Sequence, residues 1–335
     1  MSVHGIAYVQ FFCEDAYKYA DRLRDDYGFT IRDAPADRPG LTRLTARQGR
    51  ITLVLDSAAA PDDPVNGFVS RHGDGVAVLA LLCDDARDAA EQAERAVRRG
   101  ASALDGTTVA GFGDLALRFT GADDPLLAGN DHAPDADPSL LAEIDHLAVC
   151  VPAGTLARSV QYSEQSLEFR VIFSEYLEIG AQAMNSQVVQ SACGGVTLTL
   201  LEPDPSREPG QIDGFLAAHG GAGVQHLAFR TDDIATAVRT LGERGVAFLS
   251  TPGTYYDALP GRLGGTGIPP GVLRELNLLV DQDHGGQLFQ IFTRSTHPRN
   301  TLFLELIERR GAGTFGSANI KALYEAVERE RADGV

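Results

Sequence analysis

Short apolar runs followed by stretches of helical spacing recur along this chain. "VHGIAYVQFF" (residues 3–12) precedes "EDAYKYADRLRDDYGFT", and "IDHLAVCVP" (144–152) precedes "TLARSVQYSEQSLEFR". Each pair predicts a strand, a helix of about ten residues and the start of another strand. Two further stretches share a second pattern, "GDGVAVLALLCDDARDAAEQAERAVRRGAS" (73–102) and "AGVQHLAFRTDDIATAVRTLGERGVAF" (222–248). Both read as a strand, a helix opened by an Asp-Asp pair and a stop at Arg-Gly. Acidic residues suit a helix N-terminus and glycine suits its end. The chain therefore reads as four strand–helix–strands modules, two in each half. A Pro-, Gly- and Asp-rich stretch, "GADDPLLAGNDHAPDADPS", lies between the halves. It divides the chain into a first unit over 1–125, a linker over 126–142 and a second unit over 143–335. At the end, "NIKALYEAVERERADGV" spaces Ile320, Leu323, Tyr324 and Val327 as one apolar helical face.

Charge and cysteine usage narrow the classes of function. With 29 basic and 46 acidic residues the formal net charge is −17, which repels phosphate backbones and argues against nucleic acid. No basic amphipathic stretch or long apolar run points to a membrane. The start of the chain lacks the basic and apolar regions of a secretory signal. Cys13, Cys83, Cys150 and Cys193 are scattered, with no CxxC pair. A reducing cytoplasm is the expected compartment.

The two halves differ where chemistry is concerned. Aligning "VHGIAYV" with "IDHLAVC" sets Gly5 against His146. Aligning the GV pairs of the second pattern sets Val78 against His226. A lone histidine in an apolar strand is more often a satisfied core residue than a ligand. Two at matching places in paired modules favour a shared site in the second half. In "RNTLFLELIERRG" (299–311), alternation puts Phe303, Glu305 and Ile307 on one strand face. A carboxylate among apolar neighbours is costly to bury unless paired or bound to metal. Glu308 is the rival; it lies on the opposite face beside Arg309 and Arg310 and is expected in solvent. Two histidines and one carboxylate describe the facial triad of non-haem Fe(II) oxygenases.

The blocks "GGAGVQHLAF", "FLSTPGTYYDAL", "LFQIFTRSTHPRNTLFLELIER" and "GTFGSANIKALYEAVERE" resemble the signature regions of the 4-hydroxyphenylpyruvate dioxygenase family. The resemblance is faint over the first 140 or so residues and close from about residue 144. It implies the α+β vicinal oxygen chelate fold, with four βαβββ-type modules in two tandem barrel-like domains and a C-terminal closing helix. It also implies Fe(II) held by His146, His226 and Glu305, with 4-hydroxyphenylpyruvate and dioxygen as substrates. A homodimer is left open. The family contains two chemistries on one substrate. Both lose carbon dioxide oxidatively; one then hydroxylates the ring to give homogentisate, the other the benzylic carbon to give 4-hydroxymandelate.

Three departures from the ring-hydroxylating pattern point to the mandelate branch. Asn319-Ile320 stands for Asn-Phe. Thr199 and Leu201 in "TLLEP" replace a proline and an asparagine. "EPDPSREPGQIDGFL" also looks more like the mandelate-forming sequences. Ser186, Gln211, Gln290, Phe292, Phe303 and Phe315 match further substrate-contact positions of the family. Gln225 precedes His226, so simple alternation points it away from the metal unless the strand bulges, and it is expected to support the ligand from behind. Two readings from other classes compete: another metal enzyme of the same fold, such as a ring-cleaving dioxygenase or glyoxalase, and a metal-free binder of small toxic ligands. The long C-terminal blocks disfavour the first; the second expects no stoichiometric iron. On the mandelate reading, Ile320 leaves room that a phenylalanine fills. Ile320→Phe should then raise the fraction of ring-oxidised product, read as a product ratio by chromatography. An unmoved ratio would show that Ile320 does not aim the ring.

Overall fold

The computed structural model describes residues 2–128 and 139–316, together with Asn319 and Lys321. The expected closing helix lies outside the described residues except for those two positions, and so does Ile320; most of the expected linker does too. In the first half the order is β1 (Gly5–Phe12), α1 (Ala16–Tyr27), β2 (Thr30–Asp33), β3 (Leu41–Gln48), β4 (Ile51–Ala58), α2 (Pro64–His72), β5 (Gly75–Cys83), α3 (Ala86–Arg98), β6 (Thr108–Ala110) and β7 (Ala116–Gly121). The second half runs β8 (Glu143–Cys150), α4 (Leu156–Ser166), β9 (Arg170–Ile179), β10 (Gln182–Gln190), β11 (Thr197–Pro203), α5 (Gln211–His219), β12 (Gly223–Arg230), α6 (Ile234–Glu243), α7 (Gly253–Leu263), α8 (Pro270–Glu275), β13 (Leu279–Gln282), β14 (Gln287–Phe292) and β15 (Phe303–Arg310).

The helices form where apolar spacing and caps agree. In α1, Ala16, Ala20, Leu23 and Tyr27 are buried on one face. Asp15 accepts from the Lys18 amide at its start, and Gly28 ends it at φ 77°, a left-handed conformation that glycine adopts freely. The Asp-Asp signals act as read: Asp85 and Asp233 cap α3 and α6 through the Asp88 and Thr236 amides.

The strands pair into two sheets, one per half, ordered β2-β3-β4-β1-β5-β7-β6 and β13-β14-β15-β12-β8-β11-β10-β9. Each sheet joins two modules through a central antiparallel pair, β1/β5 and β8/β12. Parallel pairs β1/β4, β5/β7, β8/β11 and β12/β15 flank these. This is the vicinal oxygen chelate fold. The second module has two named strands after its helix, so the first sheet has seven strands and the second eight.

Alternation separates two surfaces on each sheet. One carries Val9, Phe11, Leu79 and Leu81 in the first sheet and Leu147, Val149, Leu227 and Phe229 in the second. With the helices these form one apolar core, in which the rings of Phe29 and Phe229 lie 6.1 Å apart. The opposite, inward surface of each sheet is free for other chemistry. No helix among the described residues is long and apolar enough to cross a membrane.

Two expectations need correction. Both central pairs carry β-bulges: Ala7 and Ala77 are the extra residues in β1/β5, Asp145 and Gln225 those in β8/β12. Matching bulge to bulge sets Tyr8, not Gly5, opposite His146. The sequence alignment is three residues out: it matches the two apolar runs by residue type, and nothing in either run marks where its bulge falls. Val78 does match His226. Glu308 is also not in solvent: it is buried, and its carboxylate accepts from the Ile234 amide at the start of α6 and from Arg310. Alternation put it on the correct face, but helices cover that face. Glu202 does the same for α4 through the Thr155 and Leu156 amides. Glu308→Ala should lower unfolding free energy by about 1–2 kcal/mol, as loss of a buried cap does. Glu91→Ala, which removes an exposed partner of Arg87, should leave the urea midpoint within error.

Candidate metal centre

Register alone places most of the candidate residues on one surface. His226 and Ala228 pair with Ala148 and His146 across β12/β8. Phe303 and Glu305 pair with His226 and Ala228 across β12/β15. Phe292 and Gln290 follow on β14, opposite Glu305 and Ile307. In the other direction Thr199 and Leu201 pair with Ala148 and Cys150, and Ser186 with Leu201. Paired Cα positions point to the same side, so these side chains share the inward surface of the second sheet. Gln211 begins α5, which packs over the β8–β11 end of it. The bulge at Gln225 interrupts the alternation from which its outward orientation was inferred, and the residue is buried.

At the centre, His146 Nε2 and His226 Nε2 lie 3.4 and 3.3 Å from Glu305 Oε2. One ligand atom from each of the three residues lies within 4.8 Å of the others, and all three residues are buried. Two of the three side chains are held from behind, while His226 Nδ1 has no hydrogen-bond partner among the described residues. His146 Nδ1 donates to Asp145 Oδ1 at 2.8 Å, which turns Nε2 toward Glu305, a donor while protonated and a ligand atom once that proton is lost. Asp145 is held in turn by Arg309 through two bonds, of 2.7 and 2.8 Å. Gln290 Nε2 donates to Glu305 Oε1 at 2.7 Å, leaving Oε2 for the centre. Asn319 Nδ2 donates to Gln290 Oε1 at 2.9 Å, and the Asn319 Oδ1 accepts from the Tyr255 hydroxyl.

Aromatic rings close the surroundings. Phe303 stacks on His226 with centroids 5.0 Å apart, and Phe292 meets His226 edge-on at 6.2 Å. Phe315 stands edge-on to His146 at 5.3 Å, lies 6.2 Å from Phe173 of β9, and carries the Arg309 guanidinium over its face. Asp145, Arg309 and Tyr255 were not anticipated as parts of the site. The one available signal was an aspartate directly before His146, since metal-bound imidazoles commonly donate to a carboxylate.

The electrostatics describe a place for a cation. Burial pushes the Glu305 carboxyl up, but the two imidazoles overcome this and hold it at about 2. Burial pulls His146 down, yet the Glu305 and Asp145 carboxylates raise it to about 9. His226, without an aspartate behind it, is lowered by burial. A proton on His146 thus does the neutralising that a metal ion would do. The donor set, two imidazole nitrogens and one carboxylate oxygen converging in a buried pocket, fits a divalent transition metal with open positions.

Residues 143–259 match the Glyoxalase/Bleomycin resistance protein/Dioxygenase superfamily. The chain is 45% identical to a solved triple mutant of 4-hydroxymandelate synthase from Streptomyces coelicolor, with a TM-score of 0.87 over 98% of this chain and 99% of that one. It is 31% identical to 4-hydroxyphenylpyruvate dioxygenase of Pseudomonas aeruginosa over 98% of this chain and 94% of the relative. A probable 4-hydroxyphenylpyruvate dioxygenase of Aspergillus fumigatus is 35% identical over 81% of this chain and 74% of its own length. Fold and site therefore define a metal-dependent dioxygenase of the vicinal oxygen chelate class. Within that class the chain belongs to the 4-hydroxyphenylpyruvate dioxygenase family.

Metal uptake should displace the His146 proton. In metal-free protein that imidazole is charged below about 9, so ligation must release a proton at pH 7. Affinity should rise about tenfold per pH unit below that point and level off above it. Calorimetry in buffers of different ionisation enthalpy checks the sign; uptake without proton release would refute it. Asp145→Asn should weaken metal binding about 10- to 100-fold while leaving the circular dichroism spectrum unchanged.

Proposed function

We propose that this enzyme is a 4-hydroxymandelate synthase, using Fe(II) at His146, His226 and Glu305. It converts 4-hydroxyphenylpyruvate and dioxygen to 4-hydroxymandelate and carbon dioxide. The observation that carries this reading is the likeness to 4-hydroxymandelate synthase at 45% identity over nearly the whole of both chains, against 31–35% for the dioxygenases above. Iron, when bound, supplies the activation of dioxygen. The protein supplies placement and a dry site.

Several features support that division of labour. The three ligands are at most 7% exposed, so water is excluded around the reacting atoms. Beyond them, on the side of β8 away from β12, the inward surface offers Ser186 and Thr199 as hydroxyl donors and Leu201 as an apolar wall. The Thr199 hydroxyl is buried without a protein partner, and its desolvation is unpaid unless a ligand group meets it. Phe292 and Phe303 wall the other side, and Phe315 stands between His146 and Phe173 of β9. Gln211 and Gln225 stand as further substrate or support residues. Gln290 and Asn319 hold Glu305, so their effect on substrate runs through the metal ligand. Leucine at 201, where the ring-hydroxylating sequences carry asparagine, removes a polar anchor near the ring and favours presentation of the benzylic carbon.

4-Hydroxymandelate and homogentisate have the same formula, so mass alone does not separate them. Chromatography of the products from 4-hydroxyphenylpyruvate, Fe(II) and air should show mainly 4-hydroxymandelate with one equivalent of carbon dioxide. Homogentisate as the main product would sink the synthase reading in favour of the dioxygenase. His226→Ala or Glu305→Ala should abolish turnover and stoichiometric iron while the protein stays folded.

A further inference from the structure

The first sheet repeats the architecture of the metal surface with different side chains on it. By the matched bulges and pairings, Tyr8, Val78 and Arg118 stand where the second sheet holds His146, His226 and Glu305. Arg43 and Asp56, paired across β3/β4, stand where Ser186 and Leu201 pair across β10/β11. A cavity of about 500 Å³ opens here, lined in part by Tyr8, Arg43, Asp105, Arg118, Asp124 and Leu126. That volume suits a small molecule.

The charges around this cavity are only partly paired. Arg43 is engaged by both oxygens of Asp56, at 2.8 and 2.7 Å, and by Asp37. Arg118 donates, among the described residues, only to neutral hydroxyls, Thr108 Oγ1 at 3.3 Å and Tyr8 Oη at 3.4 Å. Among the described residues no carboxylate stands within ion-pair distance of Arg118. Asp105 accepts from the Thr107 amide and lies within electrostatic reach of Arg118, and Asp124 accepts from the Leu126 amide and the Thr120 hydroxyl; among the described residues neither has a cation within ion-pair distance. Among the described residues the wall therefore presents one cation and two carboxylates that make no ion-pair contact, with apolar surface at Leu126 beside them. A simple carboxylate would meet Arg118 but face two like charges. A simple amine would meet the aspartates but face Arg118.

We propose that this cavity binds a free α-amino acid with an apolar side chain, its carboxylate on Arg118 and Tyr8 and its ammonium toward Asp105 and Asp124. The site is separate from the metal surface and does not depend on the reaction assigned to it. L-Phenylalanine is the probe, with N-acetyl-L-phenylalanine (no ammonium) and phenethylamine (no carboxylate) as its controls. Calorimetric titration of the wild-type protein should show saturable one-to-one binding of L-phenylalanine, with each control at least tenfold weaker. Crystals soaked in L-phenylalanine should show it beside Arg118. Arg118→Gln should weaken binding at least tenfold without changing turnover at the metal. Absence of saturable binding at millimolar probe, equal binding of either control, density only at the metal surface, or undiminished binding to folded Arg118→Gln would each overturn the proposal. If Arg118→Gln does not fold, the wild-type control series and the soaked crystals decide.

Discussion

A carboxylate 1% exposed, set between two imidazoles, is the constraint around which the second half of this chain is arranged. Such a group is stable only where positive charge and hydrogen bonds compensate its lost hydration. Glu305 has the imidazoles of His146 and His226 on one oxygen and the Gln290 amide on the other. The consequences spread outward. His146 must present Nε2, so Asp145 holds Nδ1. Asp145 is itself a half-buried carboxylate, and Arg309 holds it. Arg309 then lies over Phe315 and fixes the ring that closes the site. Through Gln290 and Asn319 the same centre reaches the start of the C-terminal segment. Direct bonds therefore link the candidate metal ligands to Asn319.

The fold permits this because each sheet keeps its two surfaces distinct. The outer surfaces and the helices carry the shared apolar core, so cohesion does not depend on what the inner surfaces hold. One inner surface could become a metal site and the other a lining of Tyr8, Arg43, Asp56 and Arg118 on the same backbone. Even the covers correspond. Five residues after the end of β7, Leu126 packs on Tyr8 and Ala80; five after the end of β15, Phe315 packs on His146.

The modules, their helix caps and the pairing of a histidine with each central strand of the second half were legible because they depend on local periodicity and on residue types with few alternative uses. Glu305 was separable from Glu308 by alternation alone. The match of Gly5 to His146 failed because both apolar runs are near-uniform, so residue type does not fix their register, and the bulges that do fix it leave no mark in the sequence. The burial of Glu308 was missed because the helix that covers it reaches it only in the folded chain. The stacked pair His72 and His219, with centroids 4.3 Å apart, joins residues far apart in sequence and had no local signal.

What the sequence determined by itself was composition of the parts: which segments become strands and helices, and which carry side chains able to bind a metal. Those follow from short-range physics, the period of a strand or helix and the capping of its ends. What only the tertiary structure decided was placement: the bulges that orient His146 and His226, the Asp145–Arg309 support 164 residues apart, and the charges on the first sheet that make no ion-pair contact among the described residues. These depend on which strands pair and in what register, and register is an energy of the assembled sheet that no single segment contains.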